Sequence, residues 1–232
     1  MRRKRSIRWP KRRDWLMLAV GAVVALGCIE IVSLVYNART PIPYQSTGIN
    51  SPWIPSTVKH WSSLIDPISK QYDIDPNFVA IIMTMESGGD AQAVSGDNAV
   101  GLMQVTSPTA QTIAKSLLKS GPTTWYNLKD PKTNIEFGVA YLAWLRDQFG
   151  TANQGPSWTY PTELVAAGYN GGPGAPNSIE AGTGLTDTQT IVYSRDAFNM
   201  WREIHAQASP TFDRWKERGG QTLLDAAKAD QQ

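Results

Sequence analysis

The stretch from residue 75 to residue 89 restricts the fold of this chain more than any other. It opens on an Asp-Pro pair, which is a good helix start, and it closes on two glycines that stop a helix. Between them, apolar residues follow the i, i+3, i+4, i+7 spacing of a buried helical stripe. Those residues are Phe78, Ile81, Ile82 and Met85. The pattern predicts a buried helix that ends on an acid, Glu86.

Helical patterns also dominate the rest of the chain after residue 56. We predict a first helix over residues 57–74, with a bend at Pro67. Further predicted helices cover residues 107–120, 134–150 and 187–208, and a short helix that starts at Glu163 breaks into a glycine-rich turn. Strand signals and internal repeats are absent from the sequence. We therefore predict an all-α domain of about six helices.

The N-terminal 36 residues combine a basic segment with a long apolar run. Residues 1–13 hold eight of the 22 Lys and Arg residues and no acid. Residues 15–36 carry one charged side chain, Glu30, and a helix of that length spans roughly 33 Å, about a bilayer core. Because positive charges favour the cytoplasmic side, we predict a cytoplasmic segment over residues 1–14 and a single transmembrane helix over residues 15–36. The folded domain would then lie on the periplasmic, or cell-wall, side of the inner membrane.

Two other interpretations of this N-terminus stay open. A cleaved signal peptide has a shorter apolar region, of about 7–15 residues, and a small-residue cleavage site; residues 36–38 make a poor site. A lipoprotein would be modified at Cys28, the only cysteine, but apolar sequence continues past it. The neighbouring span explains the basic charges with fewer assumptions than a nucleic-acid role, so no nucleic-acid partner is predicted.

Composition divides the remainder into three segments. Residues 37–57 hold four prolines and are predicted to be a semi-extended linker. The folded domain is predicted to cover residues 58–208. Residues 209–232 are predicted to be a polar C-terminal tail, whose order the sequence leaves open.

Four motifs then follow one another in the order seen in a known enzyme family. They are ESGGDAQAVSGDNAVGLMQ (86–104), NIEFGVAYLAWL (134–145), AAGYNGGPG (166–174) and TQTIVYSRDAF (188–198). The ordered set resembles the soluble lytic transglycosylase (SLT) family, glycoside hydrolase family 23, over roughly residues 60–206. The resemblance implies a lysozyme-like all-α fold and an enzyme that cleaves the glycan strands of peptidoglycan. We see no metal-ligand constellation in the sequence, and we predict neither a metal nor a cofactor.

Glu86 is the candidate catalytic residue. Cleavage of a glycosidic bond needs an acid that is protonated near neutral pH, so its pKa should be raised. Apolar neighbours and the negative end of the helix dipole both disfavour a charged carboxylate. The resemblance implies that Glu86 acts as the single acid and base: it protonates the leaving oxygen and then accepts a proton from the muramyl 6-hydroxyl. That hydroxyl attacks the anomeric carbon, which leaves a 1,6-anhydromuramyl end.

The resemblance implies substrate-binding roles for three residues of the loop that follows this helix. Ser95 and Gln104 match residues that hydrogen-bond sugar groups, and Met103 matches a wall of the cleft. From the residues alone, Ser95 could instead form a turn or a helix cap, and Gln104 could hydrogen-bond buried backbone groups.

Three further residues are implied to face the acid. Tyr169 and Asn170 match a pair opposite the acid, and Tyr193 matches a tyrosine on the last helix whose hydroxyl points at the site. The chain departs from the family pattern at Gly89, where an aromatic residue is common, and at Gln189, where a Glu is usual. The second departure leaves a contact to the substrate's stem peptide in doubt.

Tryptophans are candidates for stacking on sugars. Trp125 and Trp158 lie in predicted loops and are the candidate stackers, whereas Trp144 lies on a helical pattern and is predicted to be core.

Two rival functions remain open. A lysozyme-like hydrolase would use Asp90 or Asp97 to activate water. A wall-binding scaffold in an envelope-spanning secretion or conjugation machine would show little turnover, although a buried acid is of no use to a pure binder. The resemblance implies that enzyme and partner roles can coexist, because specialised enzymes of the family that the chain resembles open the wall for such machines.

Overall fold

The computed structural model describes residue 42 and residues 48–116, 126–149, 161–180 and 187–232. These residues form ten α-helices and one π-helical turn. The helices are α1 (Ser56–Lys59), α2 (Ser62–Tyr72), α3 (Pro76–Ser87), α4 (Ser107–Ser116), α5 (Pro131–Phe149), α6 (Pro161–Gly171), α7 (Gly174–Glu180), α8 (Thr188–Arg202), α9 (Pro210–Trp215) and α10 (Gln221–Asp230), with the π-helical turn Lys216–Gly220 between the last two. Within this part of the chain no strand forms, only isolated bridges of Val100 with Val94 and Val105. The prediction of an all-α domain is confirmed for the described residues.

The helix α3 forms the centre of the core. Its residues from Pro76 to Met85 are all buried, and α1, α2, α8 and α10 pack around it. Both predicted ends are correct. The Asp75 carboxylate accepts a hydrogen bond from the backbone N–H of Asn77 at 2.8 Å, and Gly88 ends the helix in the left-handed conformation with φ +66°.

The first predicted helix is divided in two. The chain leaves helical geometry at Trp61, whose φ and ψ are −90° and 6°, so α1 and α2 replace one continuous helix. The Trp61 indole N–H donates to the Gly89 carbonyl at 2.9 Å, and this long-range bond accompanies the break. Helix α2 runs through Pro67.

The proline-rich segment before α1 is partly built into the domain. Ile42 and Ile54 are buried, and the Asn77 side chain accepts hydrogen bonds from the backbone of Asn50 and Ser51 at 3.0 and 3.1 Å. The packed domain therefore begins before Val58, the residue at which we predicted its start. Burial of the few apolar side chains outweighs the lack of helical periodicity here.

Residues 209–232 also form ordered structure. Ser209 caps α9 by accepting from the N–H of Phe212 at 2.9 Å, and Phe212 and Trp215 are buried. Helix α10 then packs against α3 and α1. The segment that we predicted as a polar tail is thus an integral part of the helical domain.

The predicted transmembrane helix, residues 15–36, lies outside the described residues, as does the basic segment before it. Among the residues that the structure describes, no helix combines the length and hydropathy needed to cross a bilayer.

Candidate functional site

Glu86 lies in the last turn of α3 and faces α8. Its Oε1 accepts a hydrogen bond from the Tyr193 hydroxyl at 2.5 Å. Burial raises the pKa of the Glu86 carboxyl from an ordinary 4.5 to about 7, and the bond from Tyr193 acts in the opposite direction. The residue nevertheless keeps a partial opening to solvent. Glu86 is thus an acid that is substantially protonated near neutral pH and that is not fully enclosed by the protein.

The turn after Glu86 is fixed to the loop that carries the GLMQ motif. The Ser87 hydroxyl donates to the Leu102 carbonyl at 2.8 Å and accepts from the Gly89 N–H at 3.1 Å. Ser87 is buried, so both bonds are shielded from water. The bond to Leu102 ties the loop to the residue next to the acid, and the bond from Gly89 lies within the turn itself.

Asn134, at the start of α5, holds the same loop from the other side. Its Oδ1 accepts from the Met103 N–H at 2.7 Å, and its Nδ2 donates to the carbonyls of Val100 and Leu128, each at 2.7 Å. Gly101 has φ +76°, and a Cβ at this position would lie 2.6 Å from Asn134 Nδ2. Sequence reasoning did not assign Asn134 a role, although it is the first residue of the second family motif.

Met103 occupies the core instead of an open cleft wall. Its side chain is fully buried and packs on Gly138, where a Cβ would approach the Met103 Cβ to 2.6 Å. Its backbone carbonyl accepts from the Tyr169 hydroxyl at 2.8 Å. Met103 therefore contacts Tyr169 through its main chain, whereas the resemblance implied that it forms a wall of the cleft.

Tyr169 lies near enough to Glu86 for the two side chains to interact electrostatically. Burial and the negative charge of Glu86 both hold its pKa well above the ordinary 10, so it stays a neutral hydrogen-bond donor. Tyr141 lies beside it, with ring centroids 5.6 Å apart, and donates to the Gly168 carbonyl at 3.2 Å. Tyr141 thus joins α5 to α6, and Tyr169 joins α6 to the loop that carries the GLMQ motif.

Asn170 is oriented by the start of α8. The Thr190 hydroxyl lies 2.9 Å from Asn170 Oδ1 and 2.6 Å from Asp187 Oδ2. Asp187 caps α8 by accepting from the backbone N–H groups of Gln189 and Thr190. The side chain of Gln189 is exposed.

The two remaining predicted residues make hydrogen bonds within their own loop. Ser95 Oγ accepts from the Ala99 N–H at 3.1 Å. Gln104, at φ +46°, donates from its amide to the carbonyls of Gly101 and Ala93 at 3.0 and 3.2 Å. These bonds agree with turn and backbone-satisfying roles.

The acids of the hydrolase alternative are placed differently from Glu86. Asp90 Oδ1 accepts from the Gln92 N–H at 2.7 Å, which is the geometry of a turn. Asp97 is exposed.

A groove adjoins the tyrosines. Its volume is about 350 Å³, and its lining consists of Pro108, Thr109, Thr112, Ile113, Tyr141, Trp144 and Pro173. The rings of Tyr141 and Trp144 are nearly parallel, at 9°, with centroids 5.9 Å apart. Trp144 is half-buried, so the residue predicted to be core also presents a flat ring to this groove. The predicted stackers Trp125 and Trp158 lie outside the described residues.

The sequence from residue 63 to residue 192 matches the transglycosylase SLT domain. The match covers more than half of the chain. It contains Glu86 and all the other predicted site residues except Tyr193, which follows it directly. The chain belongs to the transglycosylase SLT domain family.

Two curated relatives illustrate the similarity. The chain is 34% identical over 133 residues to membrane-bound lytic murein transglycosylase E from Buchnera aphidicola, covering 54% of this chain and 60% of the relative. It is 32% identical over 127 residues to endo-type membrane-bound lytic murein transglycosylase A from Cronobacter sakazakii, covering 53% of this chain and 62% of the relative. The chain therefore spans about three fifths of the length of these relatives.

Two solved structures are also similar. One is an inactive mutant of lytic transglycosylase Slt from Pseudomonas aeruginosa, at 22% identity and a TM-score of 0.45, over 70% of this chain and 24% of that one. The other is the 70 kDa soluble lytic transglycosylase from Escherichia coli, at 24% identity and a TM-score of 0.41, over 73% of this chain and 26% of that one.

Proposed function

We propose that this chain is a peptidoglycan lytic transglycosylase that cleaves the β-1,4 bond between N-acetylmuramic acid and N-acetylglucosamine without consuming water. The observation that carries the proposal is the Glu86–Tyr193 pair, in which a buried carboxyl with a pKa of about 7 accepts a 2.5 Å hydrogen bond. The family membership and the names of the two relatives, both lytic murein transglycosylases, support the same activity.

The proposed reaction uses one residue for both proton transfers. Protonated Glu86 donates its proton to the glycosidic oxygen as the bond from that oxygen to the anomeric carbon breaks. The muramyl 6-hydroxyl then bonds to the anomeric carbon and gives its proton to the Glu86 carboxylate. The product carries a 1,6-anhydro ring, and Glu86 ends in the protonation state in which it began.

Tyr193 supports both steps by orienting the carboxyl. Its hydroxyl donates to Oε1, which leaves Oε2 to carry the transferred proton. The bond also stabilises the carboxylate that exists between the two steps, as its lowering effect on the Glu86 pKa indicates. The pKa of Tyr193 itself stays well above 10, so this donor remains protonated throughout.

We also propose where the enzyme works. The basic and apolar N-terminus supports an inner-membrane anchor over residues 15–36, and both relatives are named membrane-bound. The domain would then meet peptidoglycan on the periplasmic side and open it locally for an envelope-spanning secretion or conjugation machine.

The test uses the full chain in detergent with purified peptidoglycan, and mass spectrometry of the released fragments. Anhydromuramyl ends, lighter by one water than hydrolysed ends, are expected, and Glu86→Gln should abolish their release. Reducing muramic ends would establish a hydrolase instead and would direct attention to Asp90 and Asp97. No release, from a folded protein, would contradict the enzymatic proposal and favour the scaffold.

A further inference from the structure

The turn directly after Glu86 has a backbone that few residues tolerate. Gly88 and Gly89 have φ values of +66° and +97°, in the left-handed region that glycine adopts without steric cost. Two consecutive residues in this region can change path easily unless their surroundings hold them. The position of the Glu86 carboxyl therefore depends on what holds this turn.

Two bonds from the N-terminal side reach the turn. The Thr57 hydroxyl donates to the Gly88 carbonyl at 2.7 Å, and the Trp61 indole N–H donates to the Gly89 carbonyl at 2.9 Å. Thr57 is in α1 and Trp61 lies between α1 and α2. These bonds fix one side of the turn.

Helix α10 closes the other side. A Cβ on Gly88 would lie 2.8 Å from the backbone carbonyl of Leu223, so this helix packs backbone to backbone against the turn. At its end, the Gln231 amide donates to the Thr57 carbonyl at 2.9 Å and to the Gly89 carbonyl at 3.1 Å. Gln231 is half-buried. One side chain thus joins α1 to the turn with both of its amide hydrogens.

The matched family region ends at residue 192, so α10 and Gln231 lie outside it. We infer that Gln231 is a positioning residue for Glu86: by bridging α1 and the turn, it holds the end of α3 where the acid meets Tyr193. The inference extends the proposed function and supplies a role for a segment that the sequence presented as a polar tail.

The pKa of Glu86 reports on the packing at the end of α3, because burial is the largest cause of its shift. The Tyr193 hydroxyl, from α8, donates a hydrogen bond to the Glu86 carboxyl, and the negative charge of Glu86 raises the pKa of Tyr169, from α6.

The charged residues on the other helices that pack around α3 do not contribute to this shift. On α10, the charged residues Asp225, Lys228 and Asp230 are exposed. On α1, Lys59 donates to the Pro52 carbonyl. On α2, Asp66 and Lys70 have no part in the shift of Glu86, whose causes are burial and Tyr193.

The experiment compares Gln231→Leu with the matched control Gln232→Leu in the full chain. Leucine keeps the size and neutrality of the side chain but removes both donors, and the neighbouring Gln232 is exposed. Two readouts are taken: the Glu86 pKa, from ¹³C NMR of glutamate-labelled protein with Glu86→Gln to assign the signal, and kcat and KM on peptidoglycan. Thermal melting confirms that each variant is folded.

In Gln231→Leu, loosening of the turn should admit water, so the Glu86 pKa should fall by about one unit. The kcat should fall about tenfold with little change in KM, and Gln232→Leu should match the wild type in both. An unchanged Glu86 pKa in folded Gln231→Leu would overturn the inference, whether or not the wild type cleaves peptidoglycan. Absence of cleavage by the wild type would instead count against the proposed function alone. If Gln231→Leu does not fold, Gln231→Asn, one methylene too short to reach both carbonyls, carries the same test.

Discussion

The end of α3 and the start of α8 each carry one acid, Glu86 and Asp187. The local structure shifts the pKa values of these two acids in opposite directions. At the end of α3, burial raises the pKa of Glu86 to about 7. At the start of α8, hydrogen bonds from the Thr190 hydroxyl and from the N–H groups of Thr190 and Gln189 lower the pKa of Asp187. Donors at a helix start fix an anion, whereas a nearly donor-free helix end leaves a carboxyl able to hold a proton. The difference shows how the packing at one helix end can raise the pKa of a carboxyl while the hydrogen bonds at another lower it.

The largest effect is expected from Glu86→Gln. The amide keeps the shape of the carboxyl but cannot transfer a proton, so cleavage should fall by about a thousandfold or more. Release of fragments from peptidoglycan measures it, and an unchanged melting transition below pH 5 serves as the folding control. Near wild-type activity would remove Glu86 from the mechanism.

The next effect concerns the link between the two helices. Tyr193→Phe removes the 2.5 Å bond to Glu86, and activity should fall by about ten- to a hundredfold, because the carboxyl loses its orientation. Since that bond lowers the Glu86 pKa, its loss should raise the pKa above 7. The alkaline limb of the pH–activity profile should then move to higher pH. A limb that moves to lower pH would contradict this role, because it would show that the hydrogen bond from Tyr193 raises the pKa of Glu86.

A smaller effect is expected on the pH dependence of stability. The folded-state pKa of Glu86 lies above its ordinary 4.5, so the folded protein binds the proton more tightly than the unfolded chain. The contribution of Glu86 to stability is therefore fully present below pH 4.5 and is lost as the pH rises to about 7. For this partly accessible group, the loss is on the order of 2 kcal/mol.

Comparison of wild type with Glu86→Gln isolates this contribution, because the other titrating groups are shared. The glutamine variant should gain stability relative to the wild type between pH 4.5 and pH 7 in denaturant unfolding. A difference that is constant with pH would contradict the raised pKa.

The smallest effect is expected at the start of α8. Asp187→Ala removes the cap of the helix and should lower the melting temperature by a few degrees. Because the folded-state pKa of Asp187 lies below the ordinary 3.8, its contribution is present above that pH and is lost as the pH falls further. Differential scanning calorimetry at pH 7 and pH 3 checks both statements, and a larger deficit at pH 3 would contradict them.

The sequence predicted the helices and their caps well where the signals are local. Asp75 caps the start of α3 and Gly88 ends the helix, as predicted, because capping depends on residues next to the helix end. The Glu86–Tyr193 contact joins residues 107 positions apart, and the family resemblance, not any local pattern, pointed to it.

The features that the sequence did not predict depend on distant partners. The break at Trp61 goes with a bond to the Gly89 carbonyl, which no periodicity reports. Asn134 looked like an ordinary helix-start residue, yet its three side-chain bonds hold the loop around Met103. Met103 itself enters the core because Gly138 leaves room for it. The sequence did not predict that α10 packs against the domain, because the composition of this helix is largely polar and only some of its residues face the protein.

The most direct test of the account is the titration of Glu86 and Asp187 in one sample of the folded chain, labelled with ¹³C in the glutamate and aspartate carboxyls. The variants Glu86→Gln and Asp187→Ala assign the two signals. We predict a pKa of about 7 for Glu86 and a pKa below 3.8 for Asp187. A Glu86 carboxyl that titrates near 4.5 would contradict the account, because such a group could not serve as the proton donor at neutral pH.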